Sequence, residues 1–239
     1  ERWTKAKQAA DAEGGSDLGA MSALFCDPEL RRNTIAGVLL ALAGVGGLWG
    51  VAFFLPDLIG SVLKPAVAAL PKAAQDAQLQ RFRSYAFFVQ QVGAFFGMFA
   101  YAALSERMGR KPSLLFFLML AFAVVQGTFW GVRDITSACL WAFALGFSAL
   151  APFSAYAVYF PELFPTRVRA TGVGFCYNCA RLLAAFAPSA LGSLAAMWSS
   201  PTDAGYGYRV AASIVSCVYL VGLVGLVMAP ETKGKPLPE

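Results

Sequence analysis

Six stretches of this chain carry no charged side chain at all: residues 34–56, 84–105, 112–132, 135–161, 182–202 and 210–230. Each is at least 21 residues long. About 20 apolar residues in a helix, rising roughly 1.5 Å apiece, cross a hydrocarbon layer near 30 Å thick. Lipid offers no partner to a backbone N–H or C=O, so each run is expected to satisfy its own backbone as a helix. Barrel strands would alternate polar and apolar residues, and these runs do not. Composition agrees, with 58% apolar and 14% charged residues against about 45–50% and roughly 25% in soluble domains. The expected fold class is an all-α membrane protein with six transmembrane helices.

The net charge of +5 raises the question of nucleic acid, but the basic residues lie between the apolar runs. They read better as topology. With the N-terminus inside, the inside segments hold Arg2, Lys5, Lys7, Arg31, Arg32, Arg107, Arg110, Lys111, Arg167, Arg169, Lys233 and Lys235. The outside segments hold Lys64, Lys72, Arg81, Arg83, Arg133 and Arg209. Twelve against six predicts both ends cytoplasmic in a plasma (inner) membrane protein. Five cysteines, Cys26, Cys139, Cys176, Cys179 and Cys217, lie in or beside the spans, an odd number that argues against a full disulfide framework. Cys176 and Cys179 make a CxxC inside a span. With no histidine in the chain and no second cysteine pair nearby, they read as small packing residues rather than metal ligands. The opening Glu1-Arg2-Trp3, followed by a polar stretch, does not read as a signal peptide and is expected to lie in the middle of a larger protein.

Residues 1–33 are expected to be a cytoplasmic connecting loop, 34–229 the bundle and 230–239 a cytoplasmic tail. Asp11 to Asp17 reads as a flexible turn, and Asp27-Pro28-Glu29 as the start of a short helix ending at Arg31-Arg32. The spans are expected over about 34–62, 84–105, 112–132, 135–161, 170–198 and 210–229. The first contains Gly37, Gly44, Gly46, Gly47 and Gly50 before Pro56. Glycines at that density permit either close helix contact or local unwinding. The fourth holds Pro152, and Arg181 and Pro188 interrupt the fifth.

The turn after the second span reads Ala102-Ala-Leu-Ser-Glu-Arg-Met-Gly-Arg-Lys111. It resembles the loop signature of the major facilitator superfamily, with Ala102 and Glu106 in place of the usual glycine and aspartate. Pro161-Glu-Leu-Phe-Pro-Thr-Arg-Val-Arg-Ala-Thr-Gly-Val-Gly174 resembles that superfamily's loop between helices ten and eleven. Pro230-Glu-Thr-Lys-Gly234 is similar to the motif that ends many of its sugar-porter-like members, and Glu1-Arg2-Trp3 fits the end of the equivalent motif after helix six. The order implies helices seven to twelve, one half of a 12-helix fold whose partner is an N-terminal six-helix half. The resemblance also implies that Glu106, Arg110, Glu162, Arg169 and Glu231 form a cytoplasmic gate, with Arg107 and Gly109 in the same turn. Gly109 permits the sharp reversal. The plainer alternative is solvated charge, each exposed pair contributing only ~0–1 kcal/mol.

Sugar porters carry glutamine and asparagine in helix seven and a tryptophan before the helix-ten loop. Here Trp49 replaces the asparagine and Ala157 the tryptophan, which argues against a hexose. Thr171-Gly-Val-Gly-Phe-Cys-Tyr-Asn-Cys-Ala-Arg181, followed by Pro188, is similar to helix eleven of organic-anion and aromatic-acid transporters. In those relatives an arginine at this position serves the anionic substrate. Arg181 falls near mid-membrane, where a charge costs about 2.5 kcal/mol or more. A guanidinium's planar donor fork suits a carboxylate. A structural pair with an acid in another half, or a wetted position, are the alternatives. Further cavity candidates are Asn178, Tyr177, Trp49, Phe53, Gln90, Gln91 and Tyr156, each also compatible with simple packing.

The expected function is secondary active transport of a small organic anion or metabolite by alternating access, with a proton as the candidate coupling ion. No span contains a carboxylate, Asp57 sitting at an outer end, so a proton carrier is expected in the other half. A hexose porter and a non-transporting sensor or scaffold are the alternatives. A rhomboid-type protease needs a histidine base, and the chain has none. Enzymatic activity, a cofactor and nucleic acid are not expected.

Overall fold

Asp27 begins the first long helix: its side chain accepts from the amides of Glu29 and Leu30 at 2.7 and 3.2 Å, with Pro28 at the first helical position. The computed structural model describes residues 19–238. Arg2, Lys5, Lys7, the Glu1-Arg2-Trp3 resemblance and the turn read over Asp11 to Asp17 lie outside the described residues. A single helical turn at Ala23–Cys26 precedes α1, Pro28–Gly50. A 3₁₀ turn at Ala52–Phe54 then leads into α2, Leu55–Val62. The rest are α3 (Lys72–Met108), α4 (Arg110–Gly131), α5 (Ile135–Glu162), α6 (Arg169–Ala184), α7 (Ala187–Met197), α8 (Tyr206–Val215) and α9 (Val218–Met228).

These helices make six spans long and apolar enough to cross a membrane: α1–α2, α3, α4, α5, α6–α7 and α8–α9. Among the described residues there is no strand. Three expectations need correction. The helix opened by Asp27 does not end at Arg31-Arg32 but continues as the first span. The helix of the second span starts at Lys72, well ahead of the uncharged run at 84, so Arg81 and Arg83 stand on a helix and not in a loop. Alanine, glutamine and leucine between 73 and 80 are good helix formers, and charge marks where lipid ends, not where a helix does. The fifth span breaks at Ala185–Phe186, just ahead of Pro188, while Arg181 stays inside regular helix.

The sixth span also breaks, at Ser216–Cys217, where no proline or glycine signals it. Ser216 Oγ turns back to the carbonyl of Ser213 at 2.8 Å and accepts from Gln126 Nε2 of α4 at 2.8 Å. Local hydroxyl bonds of this kind compete with the helix ladder.

Close backbone approach holds the bundle together. Along α3, Gly93 and Gly97 face the carbonyls of Phe143 and Phe147 on α5, and Gly146 faces that of Gln90. Any side chain at these positions would collide with main chain, so α3 and α5 touch backbone to backbone. In α1 the glycines act as sockets: the Tyr156 hydroxyl fills the space at Gly44, Cys176 Sγ that at Gly37 and the Tyr219 ring that at Gly47. The central position of α1 follows, with α5, α6 and α9 around it. Of the two roles open to these glycines, packing is seen along α1, and unwinding only beyond Gly50.

Candidate functional site

One end of the bundle gathers the charged motifs. Gly109, at φ +105°, ends α3 and opens α4 in a single residue, a backbone state that other residues rarely adopt. A Cβ there would come within 2.9 Å of Glu231 Oε2. The carboxylate of Glu231 lies over the start of α4, accepting the Arg110 and Lys111 amides at 3.0 Å each. It also accepts the Thr232 and Lys233 amides of its own segment at 3.0 Å. Burial works to raise its pKa, but the four backbone N–H groups prevail and hold the carboxyl below its ordinary range. An anion at a helix N-terminus is favourably placed.

Arg110 grips Glu162, at the end of α5, with two parallel bonds: Nε to Oε2 at 3.1 Å and Nη2 to Oε1 at 2.9 Å. Its Nη1 donates to the Ser105 carbonyl at 3.1 Å. Thr232 Oγ1 donates to the same Glu162, and Tyr159 OH to the Pro230 carbonyl. Lys233 Nζ reaches the Arg107 carbonyl at 2.6 Å. The α3–α4 turn, the end of α5 and the tail are thereby tied into one latch. A bidentate guanidinium–carboxylate pair is both stronger and more directional than a single contact.

Not every residue read as part of the gate joins it. Glu106 is exposed and meets no cation within ion-pair distance among the described residues. Arg107 contributes its carbonyl, not its charge. Arg169 pairs with none of the gate carboxylates. It donates instead to the carbonyls of Phe164 at 3.1 Å and Pro238 at 2.8 Å, pinning the α5–α6 loop to the tail. Ser105, Thr232 and Lys233 sit inside motifs visible in the sequence, whereas Tyr159 carried no signal.

The second region lies midway along the bundle. Arg181, near the end of α6, is exposed and stands 5.7 Å from the Tyr177 ring centroid. With Trp49 and Pro188 it lines a recess of about 210 Å³. Trp49 lies 5.3 Å from Phe53, and Tyr177 lies 6.2 Å from Tyr156, centroid to centroid. Arg181, Tyr177, Trp49, Phe53 and Tyr156 therefore form one connected group. Tyr156 is buried within it, and its hydroxyl donates to the Leu40 carbonyl at 3.0 Å, which makes it an anchor between α5 and α1.

The remaining candidates stand apart. Asn178 Nδ2 donates to the Gly174 carbonyl at 2.8 Å, and its side chain borders a separate recess with Met21 and Thr171. Gln90 is buried on α3 against the first span, and Gln91 beside it is exposed. Arg181 meets no carboxylate among the described residues.

A family profile described as "Sugar (and other) transporter" matches residues 75–239. A Cupriavidus pinatubonensis protein named for 4-methylmuconolactone transport is 31% identical over 62% of this chain and 33% of its own length. A Haemophilus influenzae protein named for metabolite transport is 26% identical over 92% of this chain and 49% of its own length. A low affinity inorganic phosphate transporter of Petunia hybrida is 28% identical over 94% of this chain and 44% of its own length. The chain thus spans between a third and a half of these relatives.

Proposed function

The chain belongs to the sugar (and other) transporter family of the major facilitator superfamily, and on that footing we propose that it moves a small organic anion by alternating access, as the C-terminal half of a 12-helix transporter. The observation that carries this reading is Arg181: a guanidinium on the open side of α6, at mid-span, with an aromatic floor and no carboxylate beside it among the described residues. Facing lipid there, it would cost about 2.5 kcal/mol or more. A water-filled path and an anionic solute remove that cost and use the donor fork. A relative named for inorganic phosphate, itself an anion, supports the same charge class.

In this reading Trp49, Phe53 and Tyr177 supply apolar and π surface beside the guanidinium. The Arg110–Glu162–Glu231 latch closes the cytoplasmic end, and its release lets the two halves rock. Both ends of the segment lie in the cytoplasm. A coupled proton, where transport uses one, is carried by a carboxylate of the other half, since no Asp or Glu occupies the middle of a span here.

The test is uptake of labelled organic anions and sugars by the full-length protein in proteoliposomes, with and without a pH gradient. Arg181→Ala is expected to weaken anion uptake about tenfold or more, the scale of one hydrogen bond to a charged group. Arg181→Lys should recover part of it. Anion uptake that survives Arg181→Ala unchanged overturns the assignment of this site.

A further inference from the structure

A recess of about 300 Å³ opens beside the latch, between the start of α1, the α5–α6 loop and the tail. That is the lower end of the size range of small-molecule sites. Its charges divide by wall. α1 presents Asp27, Glu29 and Asn33, while the loop presents Arg167 and the tail Lys235. Glu162 and Glu231 also reach the recess, but the latch already uses them. Glu162 accepts from Arg110 and Thr232, and Glu231 from backbone amides. Leu30 and prolines of the loop and tail make the surface between the charges apolar. Opposite charges around so small a space would ordinarily close on one another. The ion pairs among the described residues are Arg110–Glu162 and Arg209–Asp203, and neither spans the recess.

Asn33 supplies an independent observation. It is 4% exposed, and its Nδ2 donates to the Leu163 carbonyl at 3.0 Å, which fixes the orientation of the amide. Its Oδ1 accepts no hydrogen bond. A buried acceptor left unpaired is costly. Because the protein takes the donor end, the acceptor end is what Asn33 offers to an occupant of the recess it lines. An ammonium brings three donors, enough for this oxygen and the α1 carboxylates together. A carboxylate suits the guanidinium and ammonium on the opposite walls. A metal ion does not fit the same demand, since no group of three ligating side chains is gathered among the described residues.

We propose that this recess binds a small zwitterion, its ammonium held by Asn33 Oδ1 with Asp27 and Glu29 and its carboxylate by Arg167 and Lys235. A few methylenes between the two charges lie along Leu30 and the prolines. The site is distinct from the Arg181 recess at mid-span and requires nothing of the transport reading. Its occupant joins the start of α1 to the loop and tail beside the latch, and so binds the latched arrangement best.

The probe is γ-aminobutyrate, with butyrate and butylamine as matched compounds that each keep one charge. Binding to the full-length protein in nanodiscs is read from the rise of Tm with concentration and located by hydrogen–deuterium exchange. The zwitterion should bind about tenfold or more tighter than either single-charge compound, the factor that one charge-assisted hydrogen bond contributes. It should slow exchange over 163–168 and 231–236, the loop and tail walls. Glu29→Gln, Lys235→Gln and Asn33→Leu should each weaken binding by a similar factor, and Arg181→Ala should leave it in place. Glu29 and Lys235 are exposed, so their variants decide the matter even where Asn33→Leu fails to fold. Equal binding of the three compounds overturns the site, as does no binding of the zwitterion. So does binding that Glu29→Gln and Lys235→Gln leave unchanged. Loss in Arg181→Ala with protection confined to α6 also overturns it, by placing the probe at the solute site.

Discussion

Glu231 shows how one carboxylate is fixed by main-chain donors rather than by a countercharge. Its oxygens accept four backbone N–H groups, two from the start of α4 and two from its own segment. Because these lower its folded pKa below the ordinary 4.5, the stabilisation it gives is complete above that value. It disappears as the pH falls through the depressed value. Glu231→Gln removes the charge and sets an NH₂ group against amide donors. Its Tm at neutral pH should fall by about 2–4 °C, the shift that a loss near 1 kcal/mol produces in a chain of this size. The gap from wild type should close as the pH drops from about 5 toward 3. Differential scanning fluorimetry across that range checks both the size and the sign. A gap that widens on acidification would show that the carboxylate is not what these amides stabilise.

Among the elements, α3 and α5 form the tightest pair, because Gly93, Gly97 and Gly146 let two backbones meet. Gly97→Val should therefore cost more than an ordinary surface change. The atom it meets is the Phe147 carbonyl, which cannot swing away as a side chain could. Overpacking of this kind costs typically 1–3 kcal/mol, read as a lower Tm and a smaller folded fraction in detergent. Gly174→Val, with nothing near its Cβ position, is the matched control and should leave the Tm unchanged.

The span count was legible in the sequence because lipid imposes a one-dimensional rule, about 20 uncharged residues per crossing. Arg110, Glu162 and Glu231 were legible because they sit in motifs whose order is fixed. The contacts of Arg169 were not, since its partners are carbonyls placed by the path of the tail rather than the gate carboxylates its motif suggested. Gln90 and Asn178 point away from the Arg181 recess for a similar reason: helix rotation decides which polar residue faces a cavity, and uniformly apolar spans carry little periodic signal of it.

As a whole, the molecule crosses the membrane six times, an even number, so its charged latch and the start of α1 share one side. A cysteine placed in 63–70 and another in 233–237 should react from opposite sides with a membrane-impermeant maleimide in intact cells, in a background free of the native cysteines. Labelling of both from one side would break the six-span topology, and labelling of the tail from outside would reverse the proposed orientation. The family membership sets this bundle among proteins about twice its length. At this scale the length of α3 has a practical consequence. Its 37 residues make about 55 Å of continuous helix at 1.5 Å per residue, far more than a hydrocarbon layer of about 30 Å covers. The surplus includes the largely exposed turns from Lys72 onward, at the end opposite the latch. That projecting rod is a natural epitope: a nanobody raised against residues 72–82 would grip regular structure outside the bilayer and give a small membrane protein the added mass that single-particle imaging needs.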